Sequence, residues 1–338
     1  PPPPRRRRPR YAGKHPRRFE DKYKELAPEK YPETVAKVLA AGKTPAGMHV
    51  PILVDEILAV LDLRPGNVVV DCTLGFGGHA RAMLARVVPG GRLVGLDVDP
   101  VEQPRTEARL RDLGFGPEVF AVRRSNFAGL RRALDAEGLA GADAVLADLG
   151  VSSMQLDTPA RGFSVKTPGP LDMRMNPHKG RPAADWIAGA DREVFAAALA
   201  ANADEPRAAL LAAQLAGRNF GTTTAFAEAI RAALPGLSEG EREKSVRRVF
   251  QAVRIVVNDE FAALDALLRQ LPDCLNPGGR VAVLTFHSGE DRRVKKAFQA
   301  GHCAGRYAAV AGDVIRPGAE ECRANPRAAS AKLRWARR

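Results

Sequence analysis

Cysteine is scarce in this chain: four residues in 338, at positions 72, 274, 303 and 322, with no CxxC pair among them. That spacing suggests neither a zinc site nor a disulfide framework, and it fits a reducing compartment. Cys72 borders a glycine-rich turn, where a small apolar filler at a strand end is expected rather than a nucleophile. No run of about 18 apolar residues occurs, so no membrane span is expected. No charged-then-apolar leader opens the chain, so the protein is expected to stay where it is made. Signatures of the common RNA-binding modules, RRM or KH, are also missing.

A charge imbalance is missing from most of the sequence too. The net +13 is concentrated at the two ends: residues 1–19 carry seven Arg, one Lys and no acid, and residues 316–338 carry seven Lys and Arg against two Glu. The remaining 37 basic and 37 acidic residues cancel. Basic ends on a balanced body suit a polyanionic partner, because each cation set against a phosphate releases a counterion. A solvated tail is the alternative for "PPPPRRRRPR".

With 45% hydrophobic residues the chain can bury one large core or two modest ones. Residues 1–47 read as a basic extension with a short helix near "YPETVAKVLA". From residue 48 onward, strand-like runs ("NVVVDCT", "RLVGLDVD", "EVFAVRRSN", "DAVLADLG") alternate with helix-like ones, the pattern of βαβ units and a parallel sheet. The alternation stops after Gly150. Residues 151–182 are loop-like and residues 183–240 are Ala-rich with a helical period. An amphipathic helix over 245–271 then leads to the strand "GRVAVLTFH", and "AKLRWARR" is expected as an antiparallel edge strand. The expected α/β architecture is one sheet, over 48–152 and 245–338, interrupted by an inserted loop and helical domain over 153–244.

The glycine-rich "TLGFGGH" sits between a strand and a helix, where backbone N–H groups face a ligand at the carboxyl edge of the sheet. Gly75, Gly77 and Ala80 match a loose dinucleotide fingerprint, and Asp97 lies where an acid binds ribose hydroxyls. By themselves these residues fit a nicotinamide cofactor as well as S-adenosylmethionine. Three further strand ends shift the balance: Asp71 could help hold an ammonium, Asn126 and Phe127 could flank an adenine, and Asp148 falls where cofactor meets substrate.

At this point "MHVPILVDEIL", "DCTLGFGGHA", "GLDVDP", "SNFAGL", "DLGVSSMQLD", "RGFS", "GPLDMRM", "FQAVRIVVNDE", "TFHSGEDRRVK" and "NPRAASAKLR" together resemble the MraW/RsmH-type methyltransferases. The resemblance implies a class I, Rossmann-like S-adenosylmethionine-dependent sheet with a helical insertion. It implies methylation of the exocyclic N4 amine of a cytosine in the decoding region of small-subunit (16S-type) ribosomal RNA. It also implies cofactor contacts at Gly77, Gly78, His79, Asp97, Phe127, Asp148 and Gln155, the last on the resemblance alone. A bacterial cytoplasmic protein is expected, or one of an organelle's matrix or stroma. Oligomeric state stays open, a homodimer included. The chain departs from the family pattern at Gly289, where leucine is usual, at Met154, where proline is common, and in "EREKSVRRVFQA".

Methyl transfer to a conjugated amine needs alignment and an acceptor for an amine N–H, a role expected of Asp148, with His287 nearby. The substrate base must leave its stack. Phe163 is the expected stacking surface, Arg161, Lys166 and Arg174 the phosphate contacts, and Asp172 a ring-edge contact; an ordered loop closing the cofactor site is the alternative. Ser288 and Glu290 are expected to face substrate beside His287, unless His287 is a buried histidine satisfied by its neighbours. The stripe Arg247, Gln251, Arg254 and Asn258 is either a solvated face or part of an RNA cleft, with Arg254 and Asn258 foremost. Two other functions remain open: an assembly factor binding RNA and cofactor with secondary catalysis, and a nicotinamide-dependent oxidoreductase, for which no hydride-transfer acid is evident.

Overall fold

The computed structural model of the chain describes residues 51–338. The basic extension, the helix expected at "YPETVAKVLA" and the boundary at residue 48 lie outside the described residues. Helix and strand alternate at first: α1 (Val54–Leu61), β1 (Val68–Asp71), α2 (Gly78–Val87), β2 (Arg92–Asp97), α3 (Glu102–Asp112), β3 (Phe120–Arg124), α4 (Leu130–Ala136) and β4 (Ala142–Asp148). A helical stretch follows, with α5 (Ser153–Asp157), α6 (Ala183–Gly189), α7 (Arg192–Ala203), α8 (Ala208–Leu215), α9 (Thr223–Ala232) and α10 (Glu239–Asn258). The chain returns through α11 (Glu260–Cys274), β5 (Leu275–Thr285), α12 (Ser288–Cys303), β6 (Ala309–Val310), α13 (Ala319–Ala324) and β7 (Lys332–Arg337).

The strands form one sheet in the order β3-β2-β1-β4-β5-β7-β6, parallel except for β7, which runs antiparallel to both neighbours. This is the expected Rossmann-like α/β sheet. Strand order reverses between β1 and β4, so the crevice that open α/β sheets use for ligands lies at the ends of those two strands. The strands are apolar on both faces because helices cover both faces. Val69, Leu93, Leu146 and Leu284 enter one apolar layer with α1, α2 and α3. Val70, Val94, Val145 and Val283 enter the other with α4, α11 and α12.

A third apolar cluster belongs to the residues between β4 and α11. It joins Phe163 and Leu171 of the long loop to Phe195, Leu211, Phe226, Ile230, Val246 and Phe250. Phe226 sits at its centre, fully buried, with ring centroids 5.1 Å from Phe220 and 5.2 Å from Phe250.

Two expectations need correction. The helix expected over 245–271 starts earlier, at Glu239, where Ser238 and Glu241 make a reciprocal capping box. It also breaks at Asp259, whose left-handed φ of 51° ends α10 and turns the chain into α11. The apolar period runs unbroken through this kink, so periodicity alone did not reveal it. The final strand is antiparallel as expected but is not the edge, since the two-residue β6 pairs outside it. Part of the C-terminal charge is also consumed by folding: Arg334 and Lys332 pair with Asp291, and Arg327 pairs with Asp157.

Truncating Phe226 to Ala should destabilise the protein by about 3 to 5 kcal/mol, because the three-ring cluster cannot collapse into the vacated space. Urea unfolding of the variant checks this, and a loss below about 1 kcal/mol would show that the cluster is loosely packed.

Candidate active site at the strand ends

Three parallel strands end in aspartate: Asp71 on β1, Asp97 on β2 and Asp148 on β4. Between the first two lies the glycine loop. Gly75 N–H donates to Asp97 Oδ2 at 2.7 Å, and Asp99 N–H donates to Oδ1 at 2.8 Å, so Asp97 braces the loop and the turn beyond β2 together. Asp71 Oδ1 accepts from Thr73 N–H at 3.0 Å, and the Thr73 hydroxyl in turn accepts from Asp148 N–H at 2.7 Å. Thr73 therefore bridges the strand ends on either side of the crevice. Sequence reasoning passed over it, though its place directly after the strand-end acid was a usable signal.

All three carboxyls are hard to ionise. Burial is the main cause for each, raising Asp71 and Asp97 to about 6 and Asp148 to about 7. For Asp71 the nearby His79 and the Thr73 amide offset part of the rise; for Asp148 the charge of Glu290 adds to it. Asp148 keeps 22% of its side-chain surface accessible, yet its Oδ1 is buried with no hydrogen-bond partner among the described residues. A buried acceptor left unpaired is costly and marks a position built for a donor.

His79 is buried, and its Nε2 lies 2.9 Å from the Ile52 carbonyl. A carbonyl only accepts, so Nε2 carries the hydrogen, and in a neutral ring Nδ1 turns a lone pair toward Asp148 Oδ2, 3.7 Å away. Desolvation lowers the histidine pKa, with Asp71 opposing it, so the two side chains are not a firm ion pair. The neighbouring glycines are required chiefly by the protein. Gly77 holds a left-handed φ of 83° at the start of α2, and a Cβ there would stand 2.7 Å from Thr106 Cγ2. A Cβ on Gly78 would stand 2.9 Å from Pro51 Cγ. At Gly75, by contrast, an added Cβ would meet only the Thr73 carbonyl, at 3.7 Å.

On the far side of Asp148, His287 caps α12, with Nδ1 accepting from Glu290 N–H at 3.4 Å and Nε2 lying 3.1 Å from Glu290 Oε1. Glu290 also accepts from Phe286 N–H and is held well ionised mainly by His287, with Arg254 adding to it, against the opposing effect of burial. His287 and Glu290 thus cap one another through Nδ1, while the buried Nε2 of His287 makes no hydrogen bond among the described residues. Ser288 faces outward, donating to Asp204 Oδ2 at 3.1 Å, beside a bidentate Arg292–Asp204 pair.

Several residues expected to meet RNA are occupied within the protein. Phe163 is only 8% exposed and packs inside the third apolar cluster, so its ring is not offered to a base. Arg174 and Asp172 form a two-point pair with each other, at 2.8 and 2.7 Å. Arg161 binds Asp99 and two carbonyls, Arg254 forks onto Glu260, and Asn258 binds the backbone of Met173 and Met175. Within the stripe on α10, Gln251 also binds a carbonyl, that of Asn202, while Arg247 is exposed. Lys166 remains exposed. Gln155 is buried, its amide donating to Asp99 Oδ2 at 3.0 Å. Phe127 opens a short turn after β3 and packs partly against the sheet, while Asn126 is exposed. Among the described residues no cluster of His, Cys, Asp and Glu could hold a metal ion, and all four cysteines are free.

The family described as the MraW methylase family matches residues 46–338. The chain belongs to that family. It is 48% identical over 340 residues to a Lachnoclostridium phytofermentans protein named ribosomal RNA small subunit methyltransferase H 1, covering 98% of this chain and 92% of that one. Similarity to the protein of the same name from Agathobacter rectalis is 47% over 98% of this chain and 97% of that one. A ribosomal RNA small subunit methyltransferase H from Thioalkalivibrio sulfidiphilus is 40% identical over 87% of this chain and 98% of its own. Methyl transfer to ribosomal RNA is thus the reaction class that the chain shares with these relatives.

One departure within this methylase has a local cause. A Cβ on Gly289 would lie 2.7 Å from Phe261 Cζ, and that ring lies tilted, 5.8 Å from the His287 ring, under the Arg293 guanidinium. Phe261 fills the space that a larger residue at 289 would take. Gly289→Leu should therefore cost about 1 to 3 kcal/mol through overpacking, and adding Phe261→Leu should recover part of it. A double-mutant cycle on thermal unfolding reads the coupling; additive losses would refute it.

The raised carboxyls also set a pH trend. The folded-state value of Asp71 lies above its ordinary 3.8, so its contribution to stability is complete below about pH 4 and is lost as pH rises through about 6. Relative to Asp71→Asn, the wild-type protein should lose roughly 3 kcal/mol between pH 4 and 7. Urea midpoints across that range check this, and parallel curves for the two proteins would contradict it.

Proposed function

We propose that this protein is an S-adenosylmethionine-dependent ribosomal RNA methyltransferase whose target is the exocyclic N4 amine of a cytosine in the decoding region of small-subunit RNA. The observation that carries the reading is Asp148: a carboxylate at the end of β4, on the crevice where strand order reverses, with Oδ1 buried and unpartnered. S-adenosylmethionine supplies its methyl group from a sulfonium. The residues around the crevice suit such a cation, since the ionised form of Asp148 lacks a compensating positive charge nearby and that of Asp71 is only partly offset by His79. Asp97 keeps spare lone pairs for ribose hydroxyls, Gly75 leaves open space, and Gly77, Gly78 and His79 hold the loop that shapes the methionine end. Phe127 and Asn126 flank the adenine side, and Gln155 lines the same edge through Asp99.

Alignment dominates the chemistry, because displacement at a sulfonium methyl needs little acid or base. Asp148 Oδ1 accepts one N–H of the amine, which turns the nitrogen lone pair toward the methyl group and strengthens as positive charge develops on nitrogen. This role needs an ionised or at least accepting carboxyl. A carboxyl raised to about 7 is protonated below that value, so activity should fall as pH drops through about 7. The Glu290 carboxylate, close beside it, adds negative charge on that side of Asp148. The partner is small-subunit RNA, whose stack the cytosine must leave to reach the crevice; Lys166, Lys179, Arg181 and Arg247 are exposed cations that can meet phosphates.

Treating undermethylated small subunits with the protein and S-adenosylmethionine should produce N4-methylcytidine, detected by nucleoside mass spectrometry. Asp148→Ala, which removes the acceptor, should lower kcat by about a hundredfold or more with RNA binding intact, and should flatten the acidic limb of the pH profile. Methylation at another atom would sink the cytosine-N4 assignment. Full activity in Asp148→Ala would remove Asp148 from the chemistry and favour an assembly role.

A further inference from the structure

The strand-edge acid Asp97 does not act alone. Its Oδ1 accepts from Asp99 N–H, and Asp99, 1% exposed, spends one oxygen on the turn into α3 and the other on two side chains from beyond β4. Those are Gln155, whose amide donates at 3.0 Å, and Arg161, whose Nη1 donates at 2.7 Å. The second arm of the Arg161 fork, Nη2, donates to the carbonyls of Arg174 at 3.1 Å and Met175 at 2.8 Å. From the opposite side Asn258, the last residue of α10, accepts from Met175 N–H at 2.7 Å and donates to the Met173 carbonyl at 2.8 Å. Residues 173–175 are thus gripped by Arg161 on the cofactor side and by Asn258 on the helix side. Met173 is held there at a left-handed φ of 62°, a conformation that a methionine adopts only when its surroundings impose it.

We propose that Arg161 is a positioning residue for methyl transfer: through Asp99 it registers segment 172–176 of the insertion against the cofactor loop, so that ligand at the loop and RNA on the insertion meet in alignment. The inference rests on the methyltransferase reading above. It assigns Arg161 no contact with RNA or cofactor. A planar fork suits the task because one guanidinium spans a carboxylate on one element and two carbonyls on another, which an ammonium cannot do.

Arg161→Lys is the informative change, since it keeps a charge beside Asp99 and removes the span; Arg161→Ala would leave Asp99 buried and unpaired. At saturating S-adenosylmethionine and small subunits, Arg161→Lys should lower kcat by about tenfold or more, while its affinity for S-adenosylhomocysteine changes by less than about threefold. Asn258→Ala, which releases the same segment from the other side, should show the same split and provides the test if the lysine variant folds poorly. Unchanged kcat in both variants, or lost cofactor affinity with kcat intact, would overturn the proposal. Hydrogen exchange at the Met175 amide supplies a readout independent of methylation. S-adenosylhomocysteine should slow it in the wild type and not in Arg161→Lys, and equal exchange with and without ligand in the wild type would also overturn the proposal. Slowed exchange in a wild type that methylates no RNA would defeat the methyltransferase reading and leave the registration standing.

Discussion

A parallel strand that ends in aspartate inside a sheet covered on both faces has little water in which to place its charge. Three neighbouring strands here end that way, and much of the surrounding structure is the set of groups that makes this tolerable. The Thr73 amide and the backbone of the glycine loop serve Asp71 and Asp97, and the turn into α3 serves Asp97 and Asp99. Asp148 is the one left short, with an oxygen that no described group reaches. Burial raises all three carboxyls, so the edge is primed to bind positive charge or a hydrogen-bond donor, and it gives up some folding stability to remain so.

The insertion is attached to this same edge rather than hung from it by a flexible hinge. Arg161 reaches Asp99 beside β2, Arg254 turns the chain at Asp259 by holding Glu260, and Asn258 fastens the loop between them. On the exposed side Asp204 meets Ser288 and Arg292 at the start of α12. Polar residues that would serve an RNA-binding face in an open structure thus serve here as joints. Their burial explains the choice: arginine and asparagine can satisfy several carbonyls and carboxylates at once, and buried backbone groups in a long irregular loop must be satisfied.

Such an arrangement suits a methyl transfer, in which little covalent work falls to the protein and alignment supplies most of the rate. The glycine loop and the segment between β4 and α11 share one hydrogen-bonded frame, which limits their relative motion. Charge at the crevice and rigidity at the joints therefore address the two needs of the same reaction.

Much of this was legible in the residues alone. The apolar runs marked β1 to β5, the strand-end positions singled out Asp71, Asp97 and Asp148, and the alternation of strand and helix stops after Gly150 in sequence and structure alike, because strand burial and period leave a direct trace in a linear pattern. Pairings between distant polar residues leave none. Phe163, Arg161, Arg174, Arg254 and Asn258 looked like an RNA surface because aromatic and basic side chains in a loop have the same text whether they face solvent or one another. Asp99 drew no notice beside Asp97, and the kink at Asp259 was hidden by an unbroken apolar period. Sequence by itself determined the sheet, its acidic edge and the family; tertiary structure alone decided which charges are spent on holding the fold and which, above all Asp148, keep an atom that no described group pairs with.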